Sequence, residues 1–397
     1  MKKIELLAPA GNLQKLKTAF YFGADAVYLG GKAFSLRTFA DNFTDEELKE
    51  GIALAHALHK KVYVCANIFA RNFDFERLES YFAFLYEAGA DAVLISDPGV
   101  LRVCRRVAPA LPVHISTQAN TTNAESAAFW AEQGASRVVL ARELSLKEIE
   151  QIHLKNPTLE LEAFVHGAMC ISYSGRCLLS DYLDGRSSNR GACAQACRYE
   201  YEIRAREKEE SGWLSVTENE RGTYFLNSKD LNMSAHLEAL AQAGVTSFKI
   251  EGRMKSEYYL ATVVNAYRRL LDGGDRETLF EELKCAAHRA YTTAYALGEN
   301  RETVASDHSQ TKGTCEFIAV VQGFDKGRVR AEMRGRFLEG DVLEILSPSN
   351  SFQKSFTVKN LCDGQGVPCC DAKRVQEIYS FDCPYPVEAG DILRRRV

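Results

Sequence analysis

The sequence predicts an α/β fold: a TIM-type (β/α)8 barrel with a cysteine-bearing insertion after strand seven, plus a small C-terminal all-β barrel domain. Short runs rich in Val, Ile and Leu alternate with longer helical segments through the first half of the chain. The runs lack strict polar and apolar alternation, which suits a parallel sheet buried on both faces, with the helices as right-handed crossovers. An open doubly wound sheet is the competing architecture, but it tends to break before seven such units accumulate. Beyond residue 313 the helical rhythm stops, and short β-type runs separated by Gly, Asp, Asn and Pro predict a small antiparallel barrel or sandwich.

In order, the strand-like runs are IELLAPAG from Ile4, DAVYLGG from Asp25, KVYVCAN from Lys61, DAVLISD from Asp91, PVHISTQ from Pro112, SRVVLARE from Ser136 and LEAFVHG from Leu161. Between them lie helical patterns such as DEELKEGIALAHALHKK and PGVLRVCRRVA. In a TIM barrel chemistry gathers at the C-terminal strand ends, which here carry Tyr28, Asn67, Asp97, Gln118, Arg142, Glu143 and His166. After the seventh run, a charged segment from Arg198 to Leu226 predicts a β-hairpin or small subdomain. Barrel logic then returns with FLNSKDLNM and SFKIEGRMKS, each followed by a helical segment. This is one strand too many for eight, and the sequence alone leaves the choice open. The expected division is a barrel domain over residues 1–300, with its insertion at about 168–222, and a tail domain over 313–397.

Composition narrows the class. A chain of 397 residues with 46% hydrophobic and 26% charged residues reads as an ordinary folded protein. No apolar run approaches the roughly 20 residues of a membrane helix, and MKKIELLAPAG lacks the apolar core of a signal peptide. A cytoplasmic location without a membrane partner is therefore expected, where twelve cysteines stay reduced and free to bind metal. A net charge of -4 argues against broad nonspecific affinity for nucleic acid and leaves room for local basic patches.

Cys170, Cys177, Cys193 and Cys197 follow the seventh strand with the spacing C-x6-C-x15-C-x3-C, among glycines that let the chain turn tightly. Any one of them could be a small buried apolar residue. Four together favour a thiolate metal centre. Zinc knuckles use closely spaced pairs, and only Cys193 and Cys197 have that form, so the wider set favours an iron-sulfur cluster with zinc as the alternative. If the segment is helical, the last two thiols share a face. The other eight cysteines read as structural, with a weak metal reading for the Cys369-Cys370 doublet.

Lys229 and Asp230, and Lys249, Glu251, Arg253 and Lys255, gather charge at two strand ends. Such side chains could grip a carboxylate or phosphate, or form a structural ion-pair network at the barrel rim. His166 could act in acid-base chemistry or be a satisfied rim histidine. His166, Lys229, Asp230, Glu251 and Arg253 are the candidate catalytic residues, and Tyr28, Asn67 and Lys249 the candidate small-molecule contacts. Glu5 and Glu162 are candidate barrel-interior carboxylates, with buried salt bridges as the alternative. Tyr173 and Tyr182 could stack on a base. Arg198, Arg204 and Arg206, or Arg328, Arg330, Arg334 and Arg336, could meet RNA phosphates or form a solvated face.

The motifs ELLAPAGN, EAF…GAMC…GRC, RGACAQACRYEY, NSKDLN and KIEGRMKS resemble the collagenase-like peptidase family U-32 over most of residues 4 to 300. The resemblance implies an oxygen-independent hydroxylation protein with a 4Fe-4S cluster, acting on tRNA to form 5-hydroxyuridine at the wobble base. It implies prephenate as co-substrate and allows for a paralogous partner subunit. By matching position the cluster ligands would be Cys170, Cys177 and Cys193. Many relatives supply the fourth thiol where this chain has Asn232, which brings Cys197 forward as its replacement or leaves one iron weakly held. Alternatives are a peptidase, hydroxylation of another RNA, or a zinc-stabilised scaffold. The chain contains neither G-x-S-x-G nor H-E-x-x-H.

Overall fold

The computed structural model describes residues 4–35, 42–199, 227–298, 303 and 311–397, together with the backbone of 204–205 and 214–215. These form two compact units. One comprises Met1–Leu13, Asp25–Met254 and Arg289–Thr311; the other comprises Gln14–Ala24, Lys255–His288 and Lys312–Val397.

The first unit holds a closed barrel of eight parallel strands: β1 (Glu5–Pro9), β2 (Ala26–Leu29), β3 (Lys61–Cys65), β4 (Ala92–Ile95), β5 (Val113–Ile115), β6 (Arg137–Val139), β7 (Glu160–Ala168) and β8 (Val245–Ile250). Neighbours pair in sequence order, and β8 closes the ring by pairing with both β7 and β1. Helix starts follow local chemistry. Thr44 and Glu47 form a reciprocal capping box at Asp45–Ala57, and Asp97 accepts from Val100 ahead of Pro98.

The interior of this barrel is partly ionic. Arg137 on β6 donates to Glu5 (2.6 Å), Glu162 (3.1 Å) and Glu160 (2.7 Å). Lys249 on β8 donates to Glu162 at 2.7 Å, and Tyr63 to Glu5 at 2.6 Å. Glu162 is fully buried, and burial alone would push its carboxyl up. The Lys249 and Arg137 charges outweigh that and hold it at about 2. His114, in the same interior, is pushed well down by burial and by Arg137.

The surplus strand has its own place. Asp230–Asn232 pairs antiparallel with His166–Ala168, the part of β7 that runs on past the barrel, and parallel with Tyr291–Thr292. It is a flap strand rather than a barrel member, so SFKI supplies the eighth stave. Between β7 and this strand lies the cysteine segment. Its expected charged hairpin is represented by Arg204–Ala205 paired antiparallel with Leu214–Ser215; Arg206 lies outside the described residues.

The second unit contains a six-stranded antiparallel sheet forming a half-barrel, around a core that includes Ile318, Val329, Phe337, Leu343, Phe356 and Phe381. Helix Glu257–Leu271 belongs to this unit, where the Tyr258 ring stacks on Phe317 at 5.5 Å. Arg394 is fully buried and donates to Glu282 (2.6 Å) and Glu344 (2.8 Å).

Candidate metal centre at the barrel mouth

The C-terminal end of β7 sets the geometry. Gly167 has φ +109°, and a Cβ there would fall 2.4 Å from the Glu251 carbonyl oxygen, so only glycine allows this crossing of β7 and the chain after β8. The cysteine segment then folds back over neighbouring strand ends. Glu143, after β6, accepts from the Ser174 backbone N–H at 3.0 Å, and Asn120 donates to the Ser174 carbonyl at 3.2 Å. Gly175, at φ +76°, lies so close to Gln118 that a Cβ would stand 2.4 Å from its carbonyl oxygen. Arg190 donates to the Phe69 carbonyl (2.7 Å) and to Asp74 (2.8 Å), holding the Asp74 carboxyl below its usual range.

Within the segment, Ser180 ties two arms together by accepting from Ala194 N–H (2.9 Å) and donating to the Arg186 carbonyl (2.7 Å). Ser188 and Asn189 both donate to the Cys177 carbonyl, at 2.8 and 2.9 Å. This brings the thiols into one neighbourhood. The Cys177 thiol is lowered to about 5, first by the neighbouring Cys170 thiol and then, against the upward push of burial, by Ser172 and the backbone of Leu179 and Ser180. Cys170, an exposed residue, is pushed up chiefly by its Cys177 neighbour. Burial also raises Cys197, which feels the charges of Arg198, Cys193, Cys177 and Arg289. Among the described residues, no three His, Cys, Asp or Glu side chains stand in a ready-made coordination shell.

The helical stacking expected for Cys193 and Cys197 is corrected. Gln195 between them is left-handed (φ 61°), and only a single 3-10 turn, Ala196–Arg198, follows. The two thiols approach through a reversal of the backbone instead. Cys197 lies in the field of Arg289, which ion-pairs with Asp230 on the flap strand. Asn232 itself turns inward and accepts from Ser234 N–H at 3.0 Å.

The other sequence-selected residues divide into engaged and mouth-facing groups. Lys249 is committed to Glu162 and lies 4.3 Å from the Tyr28 ring centre. Asp230 is committed to Arg289, while Lys229 is half-buried, its backbone N–H donating to the Thr303 carbonyl. Tyr28 donates to the Ile250 carbonyl (3.0 Å), and Asn67 to Ser116 (3.0 Å). His166 is buried, its ring edge-on to Tyr291 at 5.5 Å. Glu251 stands 3.6 Å from Arg142, whose guanidinium stacks on Phe164 at 3.9 Å. The sequence offered Arg142 only as a strand-end residue; its partner Phe164 looked like ordinary strand core.

In the tail, Arg328 pairs with Asp382, Arg334 with Glu332 and Arg336 with Asp371, while Arg330 is exposed. Tyr173 and Tyr182 are exposed on the cysteine segment.

Residues 11–306 match peptidase family U32, and residues 313–394 match the family's C-terminal domain. The chain belongs to peptidase family U32. Within the curated U32 relatives, it is 38% identical to tRNA hydroxylation protein P1 of Bacillus subtilis, over 99% of this chain and 95% of that protein. It is 43% identical to tRNA hydroxylation protein P of Helicobacter pylori, over 88% of this chain and 85% of that protein. It is also 38% identical to a 23S rRNA 5-hydroxycytidine synthase of Escherichia coli, over 68% of this chain and 39% of that protein.

Proposed function

We propose that this U32 protein is an RNA-modifying hydroxylase that forms 5-hydroxyuridine at the wobble base of tRNA without molecular oxygen. In this reading a 4Fe-4S cluster is held by Cys170, Cys177, Cys193 and Cys197, and prephenate serves as the small-acid co-substrate. The observation that carries it is the return of the cysteine segment over the strand ends of the barrel, with the Cys170, Cys177, Cys193 and Cys197 thiols in each other's electrostatic range. Relatives named for tRNA hydroxylation over nearly the whole chain, and one named for hydroxycytidine in rRNA, support hydroxylation of an RNA pyrimidine.

The donor set fits an iron-sulfur cluster: four soft sulfur ligands on a segment held against the barrel at Glu143, Gln118 and Asp74. Cys197 is taken as the fourth ligand because it lies in the same segment as the other three thiols and in the field of Arg289 beside the flap strand. When bound, the cluster would supply redox or Lewis-acid chemistry. The chain's own contribution is a mouth in which Arg142 and Phe164 form one wall and Glu251 orients Arg142. His166 lies at the base of the cysteine segment, where a proton could be held. Oriented charges in such a sheltered mouth act more strongly than they would in water.

The test is nucleoside mass spectrometry of bulk tRNA. A strain lacking this gene and any paralogue should lose 5-hydroxyuridine-derived nucleosides; the wild-type gene should restore them, and Cys170→Ala should not. Unchanged nucleosides in the deletion strain would overturn the reading. Anaerobically purified protein should be brown with about four irons per chain, whereas colourless protein with stoichiometric zinc would remove the cluster.

A further inference from the structure

We infer that Arg253 is the centre of a buried oxyanion subsite that takes one carboxylate of a small organic acid. The site stands on geometry; naming the acid as prephenate rests on the function proposed above.

Arg253 follows β8 at the barrel mouth and is only 4% exposed. Its two terminal nitrogens donate to neutral groups, Ser35 Oγ at 2.8 Å and Asn42 Oδ1 at 2.5 Å. Its Nε is buried without a hydrogen-bond partner. The other buried cations among the described residues, Arg137, Lys249, Arg289 and Arg394, each stand against a carboxylate. Arg253 has no carboxylate partner among the described residues. A guanidinium taken out of water without a counter-charge is held at a cost that a bound anion removes.

The surroundings are shaped for this. A Cβ at Gly30 would lie 2.7 Å from the Arg253 guanidinium and 2.2 Å from Ser35 Oγ, so the glycine makes room for both donors. A Cβ at Gly31 would lie 2.9 Å from the Tyr81 hydroxyl, which is buried without a partner and sits in the field of Arg253. Ser35 and Asn42 are themselves 3% and 7% exposed. One enclosed positive charge is matched by one negative charge. A carboxylate supplies that charge and two coplanar oxygens for the side-on edge of the fork, whereas a phosphate dianion would bury a surplus charge.

The experiment is titration calorimetry on the full-length protein with prephenate, malonate and inorganic phosphate. The wild type should bind the two carboxylic acids and prefer them to phosphate. Arg253→Lys keeps the charge but loses the fork, and Asn42→Asp supplies an internal carboxylate with little change of shape; each should weaken acid binding by at least about tenfold. Circular dichroism and melting temperature establish that each variant is folded, and if Arg253→Lys is not, Asn42→Asp decides. Undiminished acid binding in a folded variant, no acid binding by the wild type, or phosphate binding as tightly as the acids would each overturn the subsite. Weakened binding in the variants with normal tRNA nucleosides in the deletion strain would uphold the subsite while removing the tRNA function. Unchanged binding with lost nucleosides would do the reverse.

Discussion

Glu162 carries its negative charge where water does not reach, and it does so only because Lys249 and Arg137 are fixed beside it. Its carboxyl titrates at about 2 in the folded chain, against 4.5 for an unperturbed glutamate. A depressed folded value means that the ionised form stabilises the fold. That contribution is complete above about pH 4.5 and is lost as the pH falls towards 2. Glu162→Gln would leave two buried cations short of a partner and should destabilise the chain by about 3–5 kcal/mol at neutral pH. Urea unfolding at pH 7 and pH 3 should show the wild type losing more stability than the variant between the two. A variant as stable as the wild type at pH 7 would sink this account. The same residues mark how far single positions could be read from sequence. Glu162 stood out as a charge inside an apolar strand, and Lys249 as a charge at a strand end. That the two neutralise each other depends on ring closure between β7 and β8, which no local pattern encodes.

At the scale of elements, glycines decide where the cysteine segment sits. Gly175→Ala would force a Cβ into the Gln118 backbone and add left-handed strain, a cost of about 1–3 kcal/mol concentrated on the segment's seat. The expected outcome is faster hydrogen exchange in peptides spanning 170–190 and, if the proposed cluster is bound, reduced iron per chain, with exchange in the barrel strands unchanged. Wild-type exchange and iron content would contradict it. The sequence showed the βα units well, because apolar runs and capping residues such as Thr44 and Asp97 are local signals. It left open whether the segment between Cys193 and Cys197 is helical; the condition fails, because a left-handed Gln195 reverses the chain. It could not separate the flap strand from a barrel strand. Asp230–Asn232 is as buried as any stave, and only its antiparallel pairing with β7 distinguishes it.

At the scale of the molecule, each unit has its own buried ionic centre. In the second unit Arg394 plays the part that Glu162 plays in the first, held between Glu282 and Glu344 with no exposure to solvent. Arg394→Met should lower the stability of that unit by about 3–5 kcal/mol by leaving the buried Glu282 carboxylate without its cation, Glu344 keeping Arg396, while a double variant that also carries Glu282→Gln should recover part of the loss. Differential scanning calorimetry with limited proteolysis of the second unit would measure both. Equal stability of Arg394→Met and wild type would refute it. The tail's arginines could be read from sequence as RNA contacts or, more simply, as a solvated face, and Arg328 and Arg330 do alternate along one strand. Arg328, Arg334 and Arg336 are nevertheless each matched by an acidic neighbour brought alongside by strand pairing or turn geometry.

The antiparallel clamp between His166–Ala168 and Asp230–Asn232 has one more consequence. The chain leaves β7 and comes back alongside it at the same three residues, so the ends of the intervening segment are held together whatever its length. Lengthening or exchanging that segment adds only a slowly growing closure entropy and leaves every stave in register. A lineage built this way can retarget its chemistry by swapping the segment, with the vessel beneath it unaltered.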